Sequence, residues 1–123
     1  MKIYAENIEQ KTLENTDYRR VIFTGKYSQL VLMNIKPGDE IGTEIHDTHD
    51  QFFRIEAGQA TFTVNGDVFI AEDGFGVVVP AGAEHNVVNS GTDELKIYTI
   101  YSPAEHADGT VQKTKEEALA AGH

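Results

Sequence analysis

One short stretch of this sequence, Glu44-Ile45-His46-Asp47-Thr48-His49-Asp50-Gln51, gathers side chains able to give nitrogen or oxygen to a metal ion. On an extended chain successive side chains alternate between faces, so Glu44 and His46 share one face while Ile45 takes the other. A turn over 47–50 returns the chain antiparallel and sets Gln51, at the start of the next strand, beside that pair. A fourth donor, His85, opens a later strand just after the turn Pro80-Ala81-Gly82. The chain has no cysteine, which removes thiolate ligands, disulfides and a cysteine nucleophile together. A nitrogen and oxygen set with one carboxylate and one amide suits a single divalent ion and does not separate Zn, Fe, Mn, Ni and Co. The expected metal ligands are Glu44, His46, Gln51 and His85, with positions left open for water or substrate. His49, in the turn, would border the site or replace Gln51, although a loop position favours a solvated ring. His106 and His123 are expected at the surface.

Residues so far apart in the chain need a framework to bring them together. Turn-forming clusters recur at short spacing: Lys36-Pro37-Gly38-Asp39, Ala57-Gly58, Asn65-Gly66-Asp67, Glu72-Asp73-Gly74, Pro80-Ala81-Gly82 and Asn89-Ser90-Gly91-Thr92. Between them lie runs rich in Val, Ile, Phe, Tyr and Thr, the pattern of an all-β sandwich or barrel. Strands are expected over 19–23, 28–35, 40–46, 51–56, 59–64, 67–71, 76–79, 85–89 and 95–101, with Asn65-Gly66 as a two-residue hairpin turn. Counting inward from Gln51, Phe53 and Ile55 face the interior and Arg54 faces out, while Leu95, Ile97, Thr99 and Tyr101 share an inner face. Phe53, His49 and Tyr101 are therefore candidate residues of a substrate pocket. The same alternation turns Ile41, Ile45 and Phe52 away from the site, which points to a homodimer that covers them. Thr114-Lys115-Glu116-Glu117 is a capping-box pattern that opens a short C-terminal helix at about Lys115, and no other segment reads as helical. Residues 1–123 read as one domain, with a barrel core over about 19–101 and a tail with the helix over 102–123.

The segment from Gly74 to Asn89 resembles the second motif of the cupin family, G-x5-P-x-G-x2-H-x3-N, at every fixed position: Gly74, Pro80, Gly82, His85 and Asn89. The first motif, G-x5-H-x-H-x3-4-E-x6-G, is similar at Gly38, His46 and Gly58 but departs at two metal positions. Glu44 stands where the first histidine usually is, and Gln51 where the glutamate usually is. The resemblance implies a jelly-roll β-barrel with its metal near one open end, so the expected fold is an all-β cupin barrel with a short C-terminal helix. The two departures preserve the charge of the ligand set, because one carboxylate is present in either arrangement. The tail Tyr101-Ser102-Pro103-Ala104-Glu105-His106 resembles that of small cupins described as mannose-6-phosphate-isomerase-like. No Arg/Lys cluster lies near the motifs to hold a phosphate, which argues against phosphosugar isomerisation.

Composition narrows the partners. A formal charge of −10 repels phosphate backbones and anionic lipid, so neither nucleic acid nor a membrane is an expected partner. No apolar run approaches the roughly 20 residues of a membrane helix, and the charged residues among 1–11 leave no signal-peptide core, so a cytoplasmic location is expected. No nucleophile–His–acid arrangement or phosphate-cradling glycine loop is present. The leading expectation is a metalloenzyme of the isomerase, lyase or dioxygenase kind, acting on a small oxygenated molecule such as a sugar or keto acid. Its catalytic residues are not identified, although Glu44 or Glu84 could move a proton. The alternatives are a binding or sensing barrel without turnover, and an iron-dependent dioxygenase.

Overall fold

A computed structural model describes residues 1–122; His123 lies outside the described residues. The chain begins with helix α1 (Ile8–Glu14) and continues through β1 (Arg19–Thr24), β2 (Gln29–Ile35), β3 (Asp50–Ala57), β4 (Gln59–Val64) and β5 (Asp67–Glu72). Strands β6 (Gly76–Val79), β7 (His85–Asn89), β8 (Leu95–Ser102) and β9 (Val111–Gln112) follow, and helix α2 (Lys115–Ala120) closes the described chain. All pairings are antiparallel, in a six-stranded sheet ordered β6-β3-β8-β2-β1-β9 and a three-stranded sheet ordered β5-β4-β7. The sheets enclose the core of a jelly-roll barrel, where Phe53 of β3 meets Phe62 of β4 edge-on at 5.3 Å between ring centroids. No described helix is long and apolar enough to cross a membrane.

Register explains which residues reach the interior. Cross-strand partners share a face, so Gln51, Tyr101 and Gln29 form one inward row across β3, β8 and β2. Phe53, Thr99, Val31 and Val21 form the next, and Ile55, Ile97, Met33 and Arg19 the one after. Along β8 burial alternates through Leu95, Ile97, Thr99 and Tyr101, as the period of two requires. The hairpin between β4 and β5 turns on Asn65 and Gly66, both at positive φ (47° and 85°), the geometry that a two-residue primed turn demands. Asn89 ties the framework together: its Nδ2 donates to the carbonyls of Ile35 (2.8 Å) and Asp93 (2.9 Å).

Several expectations are corrected. Helix α1 was not anticipated; Asn7 caps it by accepting from the Gln10 amide at 3.0 Å, and Lys96 Nζ donates to the Leu13 carbonyl near its C-terminal end. Strand β9, formed by pairing with Arg19 and Arg20, was also unforeseen. Residues 40–46 are not a regular strand but meet β7 in two isolated bridges, Glu40 with Val88 and Glu44 with His85. Gly42, at φ 106°, interrupts the alternation, so Ile41 packs on the core instead of facing outward. Ile45 is exposed, and Phe52 is half-buried against Tyr98 at 6.2 Å. Helix α2 begins at Lys115 as expected, with Thr114 Oγ1 accepting from the Glu117 amide. The Glu117 carboxylate returns to the Lys113 amide, one residue before the cap.

Gly58 sits at φ 89° between β3 and β4, and a Cβ there would lie 2.7 Å from the Glu94 carbonyl oxygen. Gly82, at φ 88°, has open space around it. Gly82→Ala is expected to cost about 1–2 kcal/mol through backbone conformation alone. Gly58→Ala must also displace the main chain of β8's approach and should cost distinctly more in urea unfolding. Equal losses would show that the close approach has no energetic weight.

Candidate metal centre

The site begins with a main-chain pairing. Glu44 N–H donates to the His85 carbonyl at 2.8 Å, and His85 N–H returns to the Glu44 carbonyl at 2.9 Å. Residues so paired place their side chains on one face, which puts a residue from each motif side by side. Gly82 N–H donates to the His46 carbonyl at 2.9 Å, and Asn86 Oδ1 accepts from Gly42 N–H at 3.0 Å. These bonds hold 40–46 against β7 without a ladder. Glu44, His46 and His85 consequently offer ligand atoms that all lie within 4.8 Å of one another.

The histidine tautomers follow from partners that can only accept. His85 Nδ1 lies 3.1 Å from the Ala83 carbonyl, so Nδ1 carries the hydrogen and leaves the Nε2 lone pair facing inward. His46 Nδ1 lies 2.7 Å from Glu105 Oε2, with the same consequence for its Nε2. Both Nε2 atoms are buried without a hydrogen-bond partner. Gln51 is fixed by its amide: Nε2 donates to Thr99 Oγ1 at 3.0 Å, and Thr99 in turn donates to the Phe52 carbonyl at 2.8 Å. Gln51 Oε1 is then buried and unpartnered too. Two imidazole nitrogens from separate parts of the chain thus lie buried near the Glu44 carboxylate with nothing to bond, and Gln51 Oε1 is likewise buried and unpartnered, a condition that native interiors avoid unless a further group completes it. The donor set fits a divalent ion bound through nitrogen and oxygen.

Electrostatics favour the ligating forms of His85 and Glu44 and, in the absence of an ion, the protonated form of His46. Burial pushes His85 below the ordinary histidine range, which keeps it neutral. Burial opposes ionisation of Glu44, but contact with His46 and the positive charges of His46 and Arg19 outweigh it and hold the carboxyl below its usual range. Contact with the Glu44 carboxylate raises His46 against the opposing effect of burial. The separation of His46 Nε2 from Glu44 Oε1, 3.7 Å, is beyond hydrogen-bond length, so we attribute this attraction to charge.

The pocket candidates also gather here. His49 is buried, correcting the expectation of a solvated ring, and its centroid lies 4.5 Å from that of His46 and 5.7 Å from that of Tyr101. Its Nε2 is 2.9 Å from Glu105 Oε2 but outside hydrogen-bond geometry. Tyr101 is buried edge-on to His46, and burial raises its hydroxyl far above the usual phenol range, keeping it protonated. Phe53 is fully buried 6.1 Å from the His85 ring and forms the apolar floor. Glu84 is exposed.

Glu105 is the residue that sequence reasoning missed. It lies beyond β8, in a segment with neither strand periodicity nor a motif. Gln29, fully buried, holds it there: Oε1 accepts from the amides of Glu105 (3.1 Å) and His106 (3.0 Å), and Nε2 donates to the His106 carbonyl (2.7 Å). His106, expected at the surface, is half-buried, with Nε2 3.3 Å from the Tyr101 hydroxyl. Glu105 also completes a second close cluster with His46 and His49.

The cupin domain family matches residues 31–101, the stretch that carries both motifs. The chain belongs to the cupin family. It is 42% identical over 125 residues to protein L612 of Acanthamoeba polyphaga mimivirus, covering 98% of this chain and 78% of that one. It is 41% identical over 127 residues to YrkC of Bacillus subtilis, covering 98% and 68% respectively. Among solved structures, BH2720 of Bacillus halodurans superposes with a TM-score of 0.95 at 38% identity, covering 97% of this chain and 95% of that one. In this cupin the carboxylate that orients His46 comes from outside the two motifs, on the tail that follows the last long strand. Such an orienting carboxylate typically carries 10–100-fold in metal affinity, so Glu105→Leu should weaken divalent-ion binding by about that factor in competition with a chromogenic chelator. Unchanged affinity would make the Glu105–His46 contact merely structural.

Proposed function

We propose that this cupin holds one divalent ion through Glu44, His46 Nε2, Gln51 Oε1 and His85 Nε2, and acts on a small oxygenated metabolite such as a sugar or keto acid. The observation that carries this reading is the pair of buried, unpartnered histidine nitrogens near the Glu44 carboxylate, with the buried and unpartnered Gln51 Oε1 as a further available donor. When bound, such an ion supplies Lewis-acid polarisation of a carbonyl or carboxylate oxygen and lowers the pKa of a coordinated water. The chain's own residues do the rest. Phe53 and Phe62 close the floor against water. Tyr101 keeps its proton and can donate it in a hydrogen bond to a substrate oxygen. Glu84 is exposed, and its carboxylate can exchange protons with solvent.

Elemental analysis of protein purified without chelator is the test. About one ion per chain is expected, lost or strongly reduced in His46→Ala and His85→Ala. Less than about 0.1 ion per chain in the wild type after reloading with Mn, Fe, Ni and Zn would refute the assignment.

Residues 1–123 act as a single domain in this reading, and two copies associate. Support for association comes from the edge strands, where Val68 and Ile70 of β5 and Val78 of β6 stand 67%, 55% and 67% exposed. Light scattering is expected to give twice the 13.6 kDa chain mass, and a monomer across micromolar concentrations would exclude the dimer.

A further inference from the structure

Strand β8 ends at Ser102 and β9 begins at Val111, and the residues between them, 103–110, cross the metal end of the barrel without joining a sheet. The far end is anchored where the Thr110 carbonyl accepts from the Val21 amide at 2.8 Å, and the segment's own structure is one turn, closed by Thr110 N–H on the Ala107 carbonyl at 3.2 Å. This strap lies over the inward row of Gln51, Tyr101 and Gln29: Glu105 Oε2 reaches His46 Nδ1 at 2.7 Å, and the His106 ring meets Tyr101 edge-on at 5.2 Å between centroids. Gln29, although the first residue of its strand, is fully buried beneath it. Gln51 and His85 are 2% and 3% exposed, so an ion or a small molecule reaches them only when part of the cover moves.

Two segments without a ladder border the site, and they are held differently. The 38–44 segment exchanges main-chain hydrogen bonds with β7 in both directions, from Gly38, Ile41 and Glu44 to Asn89, Val87 and His85, and from His85 and Asn89 back to Glu44 and Asp39. The main chain of the strap is clipped by one side chain, Gln29, whose Oε1 accepts from the Glu105 and His106 amides and whose Nε2 donates to the His106 carbonyl. A segment whose bonds converge on a single side chain opens by losing them together, without unpairing a strand.

We propose that residues 103–109 open as one unit about Gln29 and are the gate through which a divalent ion enters and leaves the barrel. What passes the gate rests on the metal-binding reading above; the motion of the strap does not. Opening breaks the three bonds to Gln29 and withdraws Glu105 from both His46 and His49, whose Nε2 lies 2.9 Å from Glu105 Oε2. The closed strap is thus the state in which His46 is oriented to ligate, so a bound ion and a closed strap favour each other. Placing the orienting carboxylate on the movable segment, and not on a strand, is what couples the two.

Amide hydrogen exchange in the metal-free chain reads the motion. In the wild type the Glu105 and His106 amides should exchange together, and faster than those of Thr99 and Tyr101 in β8. Gln29→Met nearly keeps the volume but removes all three bonds to the strap. It should speed exchange at 105 and 106 at least about tenfold while Thr99 stays protected, which also shows that the variant folds. Zinc uptake by metal-free protein, followed by stopped flow with a chromogenic zinc indicator, reads the gate. Uptake should be about tenfold faster in Gln29→Met, an effect that a loss of affinity expressed in release does not produce. The wild type supplies an arm that needs no variant, since saturating zinc should slow exchange at 105 and 106 by about 10–100-fold. In protein that binds zinc, strap amides that exchange only together with β8, zinc that leaves them unprotected, or unchanged uptake in Gln29→Met would overturn the gate and leave the metal reading standing. A chain that takes up none of Mn, Fe, Ni and Zn, while its strap still opens ahead of β8 and faster in Gln29→Met, would overturn the metal reading and keep the moving strap.

Discussion

The site depends on the reciprocal hydrogen bonds between the main chains of Glu44 and His85. They join a segment that forms no regular strand to the first residue of β7, and so bring the two motifs into contact at the point where their side chains must converge. An irregular segment is suited to this. Gly42 breaks the alternation, which lets Ile41 enter the core while Glu44 and His46 still face the barrel interior. A continuous strand over 40–46 would have to choose between packing and ligation, since residues three apart fall on opposite faces. The other contributors reach the same place through register: Gln51 and Tyr101 are direct partners across β3 and β8, and Gln29 lies opposite Tyr101 on β2.

Around that junction the interior holds groups that do nothing for stability as they stand. Unpartnered His46 Nε2, His85 Nε2 and Gln51 Oε1 each carry a desolvation cost without full compensation. The surrounding shell, by contrast, is well satisfied: Gln29 makes three hydrogen bonds that fix the tail and a fourth to Thr24, and Glu105, Ala83 and Thr99 fix the orientation of His46, His85 and Gln51. A rigid shell around unsatisfied inner atoms is the signature of a site organised in advance for a guest. The shell extends beyond the barrel proper, since Glu105 belongs to the tail.

What could be read from the sequence follows from the range of the signals. The Asn65-Gly66 turn, the alternation along β8 and the match of Gly74, Pro80, Gly82, His85 and Asn89 to a family pattern are local, and local chemistry identifies them. Helix α1 had a local signal as well, Asn7 followed three residues later by Gln10, but only seven residues of helix behind it. A helix that short is held by tertiary contacts such as the one between Lys96 and Leu13, which no window on residues 1–15 contains. Glu105 and Arg19 were hidden for different reasons. Glu105 reaches His46 only because Gln29 pins its backbone, a contact between segments distant in sequence. Arg19 alternates with the buried Val21, so the period of two is consistent with its burial, but nothing in the local pattern singles out a charged residue for the interior. His49 looked like a loop residue, and its burial comes from the rings of His46 and Tyr101 closing over the turn.

The amide at position 51 has a physical reason that the ligand pattern alone does not reveal. Thr99 Oγ1 gives its only hydrogen to the Phe52 carbonyl, so toward residue 51 it can act only as an acceptor. Gln51 supplies the hydrogen through Nε2, and the remaining oxygen is thereby turned toward the interior. A glutamate in its place would set a carboxylate oxygen against the Thr99 lone pairs in a buried row, unless it were protonated or Thr99 gave up Phe52. The replacement of the usual carboxylate by an amide at position 51 is therefore coupled to the threonine on β8. Once Thr99 is committed to the β3 backbone, an amide is the side chain of this length that can satisfy it and still offer an oxygen to the site. The single carboxylate then falls to Glu44, whose neighbour across the main-chain bridge is His85, and the neutral donor set and the negative charge are divided between the two ends of one turn.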